Sequence, residues 1–390
     1  MDTNIYVLVA LTLLLGFIFG RLFRRAGLTS VLAYIFAGVI IGPILQFTTP
    51  KQFDTVVTGV TLALVAYTIG LLFSYEFLRK MGGKMIIILI AEVLITSLVV
   101  GSFIYLLTTD LALSLILASL APATAPAGTI AVLREFRAKG TLTDVCVAVV
   151  GLDDAAAIII YSVGIVSVKT VLAGGASIAS SFIYPIWNIL GAIALGGLIG
   201  VVLSYSTKKA QLSSDHIFVI CIIAAILCWG LAEMIKVSAI LTCMILGATV
   251  INFNVHIGNR SNELIDNIMT PIFILFFAVI GMKIDFSQFG ALWAIAVIYC
   301  IGRSAGKLIG SSIGGIASKS EPKITKYLGF ALFDQAGVAV GLSLLAAQEL
   351  AGYRLGAIII TLMATTTALF QLFAPLGIQY AIKSAGEATA

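Results

Sequence analysis

Two adjacent carboxylates, Asp153 and Asp154, stand in the run GLDDAAAIII at 151–160, whose other residues are apolar or glycine. Insertion scales put an aspartate at mid-bilayer depth at about 2.5–3.5 kcal/mol, and such residues serve cation binding, proton relay or pairing with a buried base. Further charges sit in other apolar runs. They are Arg303 and Lys307, one helical turn apart on one face, together with Asp334 and Glu92. Adjacent residues on a helix point about 100° apart, so Asp153 and Asp154 cannot both face one small site. A division of labour follows. One carboxylate faces an aqueous funnel and binds a cation, and the other reaches sideways to a base. Lys307 is the leading candidate for that base and Arg303 the alternative.

A second chemical signal is APATAPAGT at 121–129. Pro122 and Pro126 each lack an N–H and clash with the carbonyl one turn earlier, and Gly128 follows them. The spacing predicts an unwound segment, which survives at membrane depth only where protein or a cavity satisfies it. Its freed carbonyls and the hydroxyls of Thr124 and Thr129 are hard oxygen donors suited to an alkali cation. A third signal is FALFDQAGVAVGL at 330–342. Gly337 and Gly341 with the polar pair Asp334 and Gln335 predict a second, milder interruption.

The elements that must position these groups are membrane spans. Of the 390 residues, 60% are hydrophobic and 11% charged, where soluble domains are about a quarter charged. A spanning helix needs roughly 20 mostly apolar residues. Thirteen segments qualify: 4–20, 29–46, 54–75, 85–108, 111–133, 142–168, 182–205, 216–232, 237–253, 264–282, 288–317, 324–348 and 355–381. The pair at 216–253 admits other divisions. Segment 4–20 lacks the basic start of a cleaved signal. With thirteen spans and the N-terminus outside, inner loops hold sixteen of the 23 basic residues and outer loops five, while Arg303 and Lys307 lie within a span. That asymmetry fits the positive-inside rule. The net charge of +5 therefore reflects topology, and no nucleic-acid partner is expected.

Soluble-enzyme signatures are missing. GRSAGK at 302–307 is one residue short of phosphate-loop spacing and is followed by Leu308. His216 and His256 lie far apart, and Cys146, Cys221, Cys228, Cys243 and Cys300 form no CxxC. No cofactor is expected.

The five-span blocks 29–168 and 237–381 each place an interrupted helix fourth, seven spans apart. An odd shift makes the second block inverted, and inverted repeats with broken helices around a midplane site describe a secondary transporter. The expected fold is an all-α polytopic membrane protein of about thirteen helices.

TAPAGT, then VLREFRAKG, then GLDDAA on the next helix resembles the sodium/proton antiporters of the cation:proton antiporter superfamily, in the branch with two adjacent aspartates. GKLIGSSIGG at 306–315 and FDQAGVAVGL fit that family's late helices. The resemblance implies a homodimer. Each protomer would hold two crossed broken helices in a mobile core domain of about 85–168 and 288–384, beside a dimerisation domain of about 1–84 and 182–287. It implies Asp154 as the ion-binding carboxylate, Asp153 as the partner of a base at Lys307, and Na+ held by Asp154, Asp153 and Thr124. Many relatives carry Arg-Gly-Glu where this chain reads Gln335-Ala336-Gly337. Asp334 is the candidate to supply a charge there instead.

The expected activity is exchange of Na+, Li+ or K+ for protons by alternating access in a prokaryotic inner membrane, since cation and proton compete for one carboxylate. A second proton carried by Asp153 or Lys307 would make the cycle electrogenic. The rivals are a sodium-coupled solute symporter, a passive cation channel and an intramembrane aspartyl protease. The last would need a Gly before its aspartate, where this chain has Asp153.

Overall fold

The computed structural model describes residues 4–25, 30–173, 178–208, 213–284, 289–335, 337–353 and 355–388. All regular structure among them is helical. In chain order the helices are α1 (Ile5–Arg25), α2 (Ser30–Val39), α3 (Lys51–Leu71), α4 (Tyr75–Thr108), α5 (Leu111–Leu120), α6 (Pro126–Glu135), α7 (Thr141–Leu172) and α8 (Ile178–Lys208). They continue with α9 (Ser214–Ile235), α10 (Ala239–Phe253), α11 (Val255–Met282), α12 (Phe289–Ala317), α13 (Pro322–Ala331), α14 (Gly337–Glu349) and α15 (Leu355–Ser384). A π-helical turn, Ile40–Ile44, extends α2 around Pro43. Among the described residues, nine helices are long and apolar enough to cross a membrane by length and composition, and four shorter apolar ones accompany them.

Each of the thirteen expected segments is helical. The pair at 216–253 resolves into two helices because Lys236 takes a left-handed φ of 58° and Ser238 caps the next helix, its hydroxyl accepting from the Leu241 N–H at 3.2 Å. Segments 111–133 and 324–348 are each two half-helices. Residues 121–125 separate α5 from α6, and residues 332–336 separate α13 from α14. The second break was expected to be milder and is as complete as the first. Its backbone needs no proline, because a buried arginine supplies donors to the carbonyls it frees. Ala336 lies outside the described residues.

The chain groups into two compact units. One comprises Met1–Pro50, Met81–Val168 and Ile274–Ala390. Within it α12 packs on α13 and α15, α14 on α15, and α6 on α15. The other comprises Lys51–Lys80 and Lys169–Phe273, with α10 packed among α3, α8 and α9. Both breaks and all the charged residues singled out above belong to the first unit.

Candidate functional site

The site is built where α12 meets α4 and the two breaks. Gly306, Gly310 and Gly314 recur every fourth residue on α12. A methyl at these positions would sit 2.6 Å from Thr96 Cα, 2.7 Å from Glu92 Cα and 2.7 Å from Ile88 Cα. The glycine stripe therefore lets the two backbones touch, as small-residue stripes do between membrane helices. This is the physical content of GKLIGSSIGG, and it brings Glu92 beside Lys307.

Lys307 is fully buried, and its ammonium lies between two carboxylates. Its Nζ is 2.7 Å from Asp153 Oδ2 and 2.8 Å from Glu92 Oε1. It also donates to Thr124 Oγ1 at 2.7 Å and, closely, to the Pro122 carbonyl. The Thr124 hydroxyl in turn donates to Asp153. The proline break thus presents one carbonyl and one hydroxyl to the lysine, and α7 presents Asp153. Asp154, the next residue, keeps 6% exposure and has no hydrogen bond or ion pair among the described residues. The two aspartates therefore differ in setting, as their angular separation requires.

Arg303, one turn before Lys307, pairs with backbone. Its guanidinium donates to the carbonyls of Ala121 (2.9 Å) and Ala123 (2.7 Å) in the first break and of Phe333 (2.7 Å) and Asp334 (3.1 Å) in the second. Phe370 covers it, 4.6 Å from ring centroid to Cζ. The breaks also touch directly through the Ala125 N–H and the Asp334 carbonyl, 3.1 Å apart. Broken backbone at this depth is thereby satisfied inside the protein.

Asp334 is buried, and its Oδ1 accepts from Gln371 Nε2 at 2.9 Å. Its Oδ2 lies against the first turn of α6, where a methyl on Gly128 would stand 2.0 Å away. The helix N-terminus there favours negative charge. Gln335 is held by Tyr299 Oη (3.3 Å) and by Gln371, which donates to its carbonyl at 2.7 Å. Thr129 is buried on α6. Five buried oxygens of this region, Asp153 Oδ1, Glu92 Oε2, Asp334 Oδ2, Gln335 Oε1 and Thr129 Oγ1, have no hydrogen-bond partner among the described residues. Sequence reasoning missed Gln371, Tyr299 and Phe370. Gln371 was the most legible of them, since it follows Thr367 by four on the buried face of α15.

A separate polar cluster holds the start of α7. Past the end of α15, the Glu387 carboxylate accepts from the N–H groups of Leu142 (2.9 Å) and Thr143 (2.8 Å), the Thr143 hydroxyl (2.8 Å) and Lys323 Nζ (2.8 Å). Its carbonyl accepts from the Lys139 N–H at 3.0 Å. Burial pushes this carboxyl up, but Lys323 and the α7 donors outweigh it and hold it below the usual carboxylate range.

Solved structures share this fold. A structure of the sodium proton antiporter MjNhaP1 from Methanocaldococcus jannaschii at pH 8 matches with a TM-score of 0.81 at 16% identity, covering 98% of each chain. An electron-microscopy map of the same antiporter matches with a TM-score of 0.75 at 18% identity, covering 100% of each chain. At these identities the likeness is one of fold. Comparison with curated proteins returns no match. The model of the transmembrane sodium/hydrogen exchanger family matches residues 9–376, nearly the whole chain, and the protein belongs to that family.

Proposed function

We propose that this chain exchanges Na+, or a related monovalent cation, for protons, with Asp154 as the carboxylate that both occupy. One observation carries the reading. The buried charges around the two breaks are four carboxylates (Glu92, Asp153, Asp154 and Asp334) against two cations (Arg303 and Lys307). Buried charge is tolerated when it is compensated. Protons and an alkali cation are alternative sources of the missing positive charge, so they compete.

Asp154 takes the cation, with Asp153, Thr124 and the break carbonyls supplying further oxygens and Thr129 beside them on α6. Two protons per Na+ make the cycle electrogenic. Alternating access comes from movement of the parts around 85–168 and 288–384 relative to the remainder. The protein works as a homodimer in a prokaryotic inner membrane, N-terminus outside and C-terminus inside.

The test is proton release from proteoliposomes on addition of Na+, Li+ or K+, with Asp154→Asn beside the wild type. Exchange in the wild type and none in the folded variant is expected. Cation-driven proton release by Asp154→Asn would overturn the assignment. With membrane voltage clamped at zero and a tenfold Na+ gradient, flux through a two-proton exchanger stops at about half a pH unit, and through a one-proton exchanger at about one unit.

A further inference from the structure

Lys307 is over-subscribed. An ammonium has three protons, and four acceptors surround this one: Asp153 Oδ2, Glu92 Oε1, Thr124 Oγ1 and the Pro122 carbonyl. The two carboxylates arrive from different elements. Asp153 comes from α7 and Glu92 from α4. Glu92 is also a fixed post. Its backbone is pressed against Gly310, its side chain is fully buried, and its Oε1 accepts from Thr96 Oγ1 at 2.9 Å. A cation that takes Asp153 must take it from Lys307. With a single partner, the displaced ammonium would be left buried and unpaired, which is the costly outcome.

We propose that Glu92 is a second berth for Lys307, on which the ammonium stays when a cation draws Asp153 away. No bond breaks and no proton moves in this step. The flexible lysine stem changes which carboxylate it serves, and the cation replaces it on Asp153. Glu92 touches neither cation nor reacting proton, so it is a positioning residue acting through Lys307. The inference rests on the exchange reading above, and it adds what makes release of Asp153 affordable.

Two readouts test it, the cation concentration for half-maximal exchange and the concentration that raises the melting temperature of the purified protein half-maximally. Glu92→Gln should raise both on the order of tenfold while the maximal rate changes little. Glu92→Asp should recover part of the loss. In a Lys307→Gln background the Glu92→Gln change should add nothing, because the berth has lost its occupant. Equal half-saturation in wild type and Glu92→Gln, or an equal shift with and without Lys307, would overturn the berth. If Glu92→Gln alone does not fold, Lys307→Gln against Glu92→Gln/Lys307→Gln carries the test, and unequal half-saturation overturns it. Asp154→Asn separates the two readings. Cation-driven stabilisation that survives in it sinks the site itself. Its loss there, with Glu92→Gln matching the wild type, sinks only the berth.

Discussion

Lysine and arginine, one turn apart on α12, have different partners here, and the difference lies in the shape of their heads. Arg303 presents a planar fork of donors to four carbonyls that belong to two separate breaks. A lysine at that position has three protons on one point and cannot span both breaks. Arg303→Lys should lower stability by about 2–4 kcal/mol, since each stranded buried acceptor costs about 1–3 kcal/mol. Thermal unfolding in detergent checks this, and a variant that melts with the wild type would show that the guanidinium ties are dispensable. Thr124 is a finer case. Its hydroxyl receives from Lys307 and donates to Asp153, so Thr124→Ala should weaken cation affinity about 3–10-fold, the range of one interhelical hydrogen bond in a membrane protein. Unchanged affinity would remove the hydroxyl from the site.

At the scale of elements, α12 and α4 touch through a row of missing side chains. Gly310→Ala places a methyl 2.7 Å from Glu92 Cα and 3.0 Å from its carbonyl. Such overpacking costs about 1–3 kcal/mol. It should also lift Glu92 off Lys307, so stability and cation affinity fall together. Gly197→Ala, on α8 with nothing within 4 Å, is the control and should leave both unchanged or stability slightly raised. The helices themselves were legible from their apolar lengths, and the first break from Pro122 and Pro126, because proline removes a donor wherever it stands. The second break was underestimated. Its cause is not in its own residues but in Arg303, 30 positions upstream of Phe333. Glu92 was visible as a charge out of place, yet only packing set by three glycines on another helix gave it a partner. Gln371 looked like one more polar residue until the fold placed Asp334 beside it.

At the scale of the whole chain, Glu387 closes a long circuit onto α7, the helix that carries both aspartates. Because the folded carboxyl is more acidic than an ordinary glutamate, folding favours its ionised form. Its stabilisation is full above the usual glutamate value of about 4.3 and disappears as pH falls through the lower folded value. Glu387→Gln turns an amide against Lys323 and the α7 donors and should cost about 1–2 kcal/mol near neutral pH. Melting curves of variant and wild type should converge as pH falls through that lower folded value, and a gap that persists below it would mean the carboxylate charge is not the cause. The same clasp has a consequence for biosynthesis. Leu142 and the residue that caps it are 245 positions apart. At ribosomal speeds of about 5–20 residues per second, that separation is about 10–50 s of translation. Throughout that interval the aspartate-bearing helix waits in the nascent chain with its leading amides unserved by Glu387. Chains arrested before residue 387 should therefore expose the start of α7 to limited proteolysis, and chains released beyond it should not.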